Sequence, residues 1–250
     1  MVLEICSLVA SFALHFTIAS VMPIYNKELF RIHPYPLYAT LMQLIATCPF
    51  MLLIAWVADG FPLKLSHFIP ERRAFPMVLV SSILFGTMMF TGNIGIHVSD
   101  LDFAVLFRIS TIVTSSILGF IFLGERVNFL GAVAIVNVVA GILCLTTNFQ
   151  WSTAKMPTGS QLFIQLSSVV ASSLSSLTLK LTTAQLEKTE LGYRPLMLTF
   201  WRFLFSLFPV FIVTLIQEPG VFANLDLVHN WTFLYWTLLG VSITGMFQIL

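Results

Sequence analysis

The chain has 250 residues, of which 58% are hydrophobic and 9% charged, and its mean hydropathy is +0.94. Soluble domains carry roughly a quarter charged residues, so this composition excludes a water-soluble globular protein and points to an integral membrane protein whose first partner is the lipid bilayer. The formal net charge of +1 implies neither an acidic nor a basic macromolecular partner, and no nucleic acid.

The first apolar run, residues 5–25, has about the 20 residues that a bilayer requires. No Arg- and Ser-rich transit segment precedes it, and it is long for a signal-peptide core, so a retained helix is expected. His15, alone on an apolar face, reads as a packed side chain rather than a ligand. Cys6, Cys48 and Cys144 have no metal or redox spacing and read as small core residues. Tyr25, Asn26 and Lys27, then Pro34, Tyr35, Pro36 and Leu37, separate this run from the second, residues 38–57. By itself Lys27 reads as an interfacial anchor that snorkels to the headgroups. Arg108, Lys180 and Arg202 also fall inside or at the ends of apolar runs, however, and the four need an explanation together.

A loop over 59–75 holds Lys64, Arg72 and Arg73. The third run, 77–97, is rich in small residues (Gly86, Thr87, Thr91, Gly92, Gly95) that allow close helix contact. Asn93 lies at depth in it, to bond across helices or line a cavity. Asp100 and Asp102 lead into the fourth run, 103–123, where Arg108 is followed by Ser110, Thr111, Thr114, Ser115 and Ser116. An Arg at depth must face protein or water, and the hydroxyls suit a polar wall. Its other reading is a helix-end Arg that reaches the headgroups or pairs with Asp100 or Asp102. Gly124, Glu125 and Arg126 turn the chain into the fifth run, 129–147, and a polar linker with Pro157 follows over 148–159.

In the sixth run, 161–184, Ser168, Ser172 and Ser176 repeat every four residues as a packing face. Lys180 is one turn further on that face, which turns it toward protein rather than lipid. A polar stretch with Glu187, Lys188 and Glu190 precedes the seventh run, 195–217. Arg202 within it, beside Trp201, reads as structural, in a helix-end or cation–π role. The eighth run starts near Thr232 and continues to Leu250.

With the N-terminus cytoplasmic, Lys64, Arg72, Arg73, Arg126, Lys188 and Arg194 fall in cytoplasmic loops, against Lys27, Arg31 and Lys155 opposite. That balance favours this orientation. It puts the sequon at Asn230 on the lumenal side, close to the membrane. A repeat is also present: Pro36-Leu37 with Thr40 opens the second run, and Pro195-Leu196 with Thr199 opens the seventh. Lys27 and Lys180 stand before the two copies, so the first run corresponds to the sixth. Five spans per repeat is an odd number, so the second copy must be inverted, a recurring transporter plan with substrate at the repeat interface. The expected fold is therefore all-α and polytopic, with a first repeat over 1–150 and a second, inverted repeat over 151–250. The plan calls for about ten spans; about eight are read here, so the second repeat is expected to be incomplete.

Asn26-Lys27 followed by Pro34-Tyr35-Pro36 resembles the first-helix motif of the triose-phosphate and nucleotide-sugar translocators, in the drug/metabolite transporter superfamily. Gly92-Asn93, and the run from Phe107-Arg108 to Leu123-Gly124-Glu125-Arg126, resemble that family's third to fifth helices. The stretch 175–181, ending Leu179-Lys180-Leu181, resembles its sixth. The likeness covers nearly the whole chain and is more specific in the first half. It implies antiport of phosphorylated or nucleotide-linked sugars, with Lys27 and Lys180 facing a central cavity. The family often has Lys where Arg108 stands, and some sugar-nucleotide members have Arg. The sugar and the nucleotide stay open. The family's ninth helix brings another basic cluster, and this sequence ends before it.

Elementary chemistry agrees. A phosphate entering a low-dielectric medium needs positive charge and hydrogen-bond donors. Lys27 and Lys180 can supply point charges, Arg108 can grip two oxygens at once, and Tyr25, Asn26 and Asn93 can orient a sugar or base. The expected function is exchange of a nucleotide sugar, or a sugar phosphate, for a nucleoside monophosphate or phosphate. The membrane is expected to be Golgi or endoplasmic reticulum rather than plastid, and a homodimer is left open. Two alternatives remain: an EamA-like exporter of neutral or amphipathic metabolites, and a truncated, non-transporting membrane partner. There is no HExxH, no pair of intramembrane aspartates and no nucleophile elbow, so no enzyme, cofactor or metal is expected.

Overall fold

A computed structural model describes residues 17, 21–59, 69–147, 158–188 and 195–223. Most of the first apolar run, with Cys6 and His15, lies outside the described residues. So do Lys64, Lys155, Glu190, Arg194, the sequon and the eighth run.

The described segments are helical, and no strand occurs among them. Residues 21–32 form α1. It is followed by α2 (Pro36–Asp59), α3 (Phe75–Val98), α4 (Leu101–Leu123), α5 (Phe129–Thr147), α6 (Gly159–Leu186), α7 (Pro195–Gln217) and the short α8 (Pro219–Ala223). The helices start and end within about two residues of the apolar runs, because caps and prolines carry them past the apolar positions. Pro36 and Pro195 sit at helix starts, where the missing N–H is no loss. Thr158 and Gln161 close a capping box on α6.

The first helix differs from expectation. The apolar run ends at Tyr25, but the helix continues to residue 32. Residues 26–32 contain no Gly or Pro, and Arg31 Nη2 meets Glu28 Oε1 one turn away at 2.6 Å. Pro34 and Pro36 then stop the helix by disfavouring helical conformation in the residues before them. Tyr25, Asn26 and Lys27 therefore ride on a helix rather than in the connection after it.

Among the described residues four helices, Pro36–Val57, Phe75–Val98, Gly159–Leu186 and Pro195–Gln217, are long and apolar enough to cross a membrane. Their surfaces are inverted relative to a protein in water. Val57, Val80, Phe163, Phe208 and Ile216 are exposed, whereas Thr40, Gln43, Thr47, Ser173, Ser206 and Thr214 are buried. Exposed apolar surface on that scale is stable in lipid, not in water. The buried hydroxyls bond backbone carbonyls: Thr40 Oγ1 donates to Pro36 O, Thr47 Oγ1 to Gln43 O and Thr214 Oγ1 to Val210 O. The chain is an all-α, polytopic membrane protein.

The helices fall into two compact units, each drawing on both halves of the chain. In the first, α2 packs against α7, and α1 and α8 join them. Glu218, just past α7, caps the start of α2: Leu37 N donates to Oε1 at 3.1 Å and Tyr38 N to Oε2 at 2.9 Å. These are two of the N–H groups that a helix start leaves without partners. Phe222 of α8 meets the Tyr38 ring edge-on, with centroids 6.0 Å apart.

In the second unit, α6 packs against α3 and α4, and α5 lies against α4. The α3–α6 pair is antiparallel and keeps one register from end to end. Thr182 Oγ1 donates to Met77 O at 3.3 Å, and Gln161 Nε2 to Val98 O at 2.6 Å. The same number of residues separates the two contacts on each helix, over about 30 Å, the thickness of a bilayer core. Between them, Gly92 faces Ser168 and Gly95 faces Gln165. Gly92 and Gly95 of the third run thus lie on a packing face, as its small-residue composition implies.

Candidate functional site

The residues singled out by sequence divide between the two units. Tyr25, Asn26 and Lys27 belong to the first; Asn93, Arg108 and Lys180 belong to the second.

Consecutive residues on α1 point about 100° apart, so the three neighbours have different surroundings. Tyr25 and Asn26 are buried and Lys27 is half-buried. Gln43 Nε2 of α2 donates to Asn26 Oδ1 at 3.2 Å, and both side chains are buried. Gln43 was not foreseen, yet the sequence carries a signal for it. Thr40, Gln43 and Thr47 lie at i, i+3 and i+7, a polar stripe on one face of an apolar helix. Arg202 stands in the third turn of α7 and is buried beside buried Trp201, not at a helix end.

Two groups at the ends of these helices have shifted titration. Burial holds the His33 imidazole below its usual range. Burial also pushes the Glu218 carboxyl above the usual carboxylate range, while its bonds from Tyr38 N and Leu37 N pull it back.

In the second unit, Asn93 is buried on α3. Arg108 is exposed about two turns into α4 and forms no ion pair among the described residues. Asp100 therefore does not pair with it; the Asp102 side chain lies outside the described residues. Arg108, Thr111, Ser115 and Gly119 are spaced i, i+3, i+7 and i+11, which puts them on one stripe of α4. That stripe runs along α6, where Ser173 Oγ donates to Thr111 O at 3.4 Å.

Lys180 stands at the other end of the stripe. Its Nζ meets both carboxylate oxygens of Glu125, at 2.9 and 2.7 Å, with the two side chains 58% and 50% exposed. The local backbone fixes where Glu125 sits. Gly124 takes a left-handed conformation (φ 67°), and the N–H groups of Gly124 and Glu125 both return to Gly119 O. A Cβ at position 119 would stand 3.0 Å from Glu125 Oε2, so the bare glycine makes room for the carboxylate. The serine face ahead of Lys180 opens gradually: Ser168 and Ser172 are half-buried, and Ser176 and Lys180 are exposed. Gln165, Val169, Ser173 and Leu177 form the buried side of α6.

The arrangement is thus a hydroxyl-lined track about 16 Å long on α4, with a guanidinium at one end and an ammonium at the other. Such a track can offer an extended anion two charges with the Ser115 hydroxyl as a neutral donor between them, while the Thr111 hydroxyl donates to Arg108 O. Among the described residues no cluster of His, Cys, Asp and Glu is built to hold a metal ion.

No curated protein matches the chain. The profile of the Triose-phosphate Transporter family matches residues 6–246. With a match from the first apolar run into the last, joined to a polytopic helical fold, the chain belongs to the Triose-phosphate Transporter family, whose members are membrane transporters of phosphate-linked solutes.

Proposed function

We propose that this chain is a secondary active antiporter that exchanges a nucleotide sugar, or a sugar phosphate, for a nucleoside monophosphate or phosphate across an endomembrane. The observation that carries the reading is Arg108, an exposed residue that forms no ion pair among the described residues, on a helix of a membrane-embedded unit. Hydrocarbon does not accept such a group, so its stripe of α4 faces water or polar protein. A phosphate-linked substrate gives that charge a purpose; an exporter of neutral metabolites does not.

In this reading Lys180 and Arg108 hold the phosphate groups, and the Ser115 hydroxyl bonds what lies between. Asn93, of the same unit, is proposed to hydrogen-bond the sugar or base; in the other unit, Lys27 by its charge and Tyr25 and Asn26 by hydrogen bonds are proposed as solute contacts in their own right. The inverted repeat belongs to the same proposal. Its support is local: Thr40 Oγ1 bonds Pro36 O at 2.6 Å, and Thr199 Oγ1 bonds Pro195 O at 2.9 Å. The two Pro-Leu-x-x-Thr starts thus fold alike, and the helices they open pack together. A cytoplasmic N-terminus and a Golgi or endoplasmic-reticulum location complete the proposal.

The test is thermal stability of the purified protein against GMP, UMP, CMP, AMP, their sugar diphosphates, triose phosphate, phosphoenolpyruvate and phosphate. A ligand at about 100 times its dissociation constant stabilises by roughly 2.7 kcal/mol. One nucleotide or sugar-phosphate class is expected to raise Tm, and Arg108→Ala and Lys180→Ala are each expected to abolish the rise while leaving the protein folded. An undiminished rise in both variants contradicts the reading.

A further inference from the structure

We infer that Glu125 is a tethered anion that occupies Lys180 and must be displaced by the phosphate of an incoming substrate. The inference rests on the transport reading above and names the residue that sets the affinity of that site.

The geometry has three parts. First, the two carboxylate oxygens meet one ammonium at 2.9 and 2.7 Å. Two oxygens of a phosphate would approach a lysine at the same distances, so the carboxylate stands where a phosphate would bind. Second, the pair is not a buried structural bridge. Both side chains are about half exposed, and an ion pair that open contributes little to stability. Third, the seat of Glu125 is closely specified. The left-handed Gly124 turns the chain back, the Gly119 carbonyl takes two N–H groups, and the missing Cβ at Gly119 leaves space for Oε2. A weak pair in so defined a seat suits a group that must leave and return.

Tethering makes the competition effective. A ligand held on a short segment presents itself at an effective concentration on the order of millimolar. A free anion has to outcompete it, so the carboxylate weakens apparent affinity for every anion at Lys180. A neutral solute gains nothing by displacing it, because the ammonium would lose its partner. The pair therefore favours anions and keeps their binding weak enough to allow release. The carboxylate returns to its seat when the phosphate leaves, so the ammonium is never left unpaired.

The experiment measures the dissociation constant of inorganic phosphate and of UMP, by equilibrium binding to the purified full chain, for four proteins. These are the unsubstituted protein, Glu125→Gln, Lys180→Ala and the double variant. Glu125→Gln is expected to bind about two- to five-fold tighter, the range an exposed ion pair can supply. Lys180→Ala is expected to bind weakly, and the double variant no better than Lys180→Ala. Gly119→Ala is an independent check: its Cβ crowds Glu125 Oε2 and is expected to strengthen anion binding without touching either charge. If the unsubstituted protein binds these anions and neither Glu125→Gln nor Gly119→Ala tightens binding, the tethered-anion inference is overturned and the transport reading stands. If Glu125→Gln tightens binding equally with and without Lys180, competition at the ammonium is overturned. If neither the unsubstituted protein nor Glu125→Gln binds any anion of the wider panel, the transport reading fails and the inference with it.

Discussion

Gln165 of α6 lies across Gly95 of α3 so closely that a Cβ on the glycine would stand 2.8 Å from the amide nitrogen. The same glutamine donates to Ser99 Oγ at 3.3 Å, at the end of α3. One polar side chain thus fixes both the spacing and the register of the two helices. Gly95→Ala forces the Gln165 amide to move and lose its bond to Ser99, so it is expected to melt below Gly92→Ala, by roughly the 0.5–1.5 kcal/mol of one hydrogen bond. Gly92→Ala is the control, because its Cβ would meet Ser168 Oγ at an ordinary 3.4 Å. There the gain in helix propensity is expected to leave Tm unchanged or raised. Equal melting temperatures for the two variants would contradict this packing.

Asn26 and Gln43 join α1 to α2 through a buried hydrogen bond of 3.2 Å. Hydrogen bonds between membrane helices are worth on average about 0.6 kcal/mol in double-mutant cycles. A cycle of Asn26→Ala, Gln43→Ala and the double variant, read by unfolding in detergent, is expected to give a favourable coupling of that size. Strict additivity would mean that the bond adds nothing to stability.

Glu218 gives a pH dependence with a definite sign. Burial raises its carboxyl above the usual carboxylate range, against the pull of the Tyr38 and Leu37 N–H groups. The folded state then binds this proton more tightly than the unfolded state. The contribution to stability is fully present below the ordinary carboxylate value, about 4.3. It is lost as pH rises from there through the raised value, and is flat beyond. Glu218→Gln keeps an acceptor near the start of α2 but does not titrate. The Tm of the unsubstituted protein is therefore expected to fall relative to Glu218→Gln as pH rises across that window. Parallel pH profiles would refute the assignment.

The sequence made the spans legible because a bilayer demands long apolar runs, and the ends of α5 and α7 fall where the polarity changes. The continuation of α1 through Lys27 was missed because Asn26, Lys27 and Glu28 interrupt the apolar run, although Met22, Tyr25, Leu29 and Phe30 keep helical spacing across them and are buried. Small residues on α3 announced a packing face but not its partner. Gly92 and Gly95 could have met any helix, and the match to Ser168 and Gln165 arises only in the fold. At the candidate site, the charge types were visible and their pairing was not. Lys180 and Glu125 are 55 residues apart, and Glu218 caps a helix start about 180 residues away. Contacts of that separation leave no local pattern. Gly119 could have been noticed, because a glycine one turn before a Gly-Glu turn makes room for the carboxylate to fold back.

The central claim is that the chain exchanges phosphate-linked solutes and needs Lys180 and Arg108 to do so. The most direct test is counterflow in liposomes that contain the purified protein, preloaded with the nucleoside monophosphate or phosphate that raises Tm. Uptake of the labelled sugar-linked substrate is expected only with preloading, and is expected to be lost in Lys180→Ala and in Arg108→Ala. Equal uptake into preloaded and empty vesicles would contradict exchange, and full exchange by both variants would contradict the assigned site.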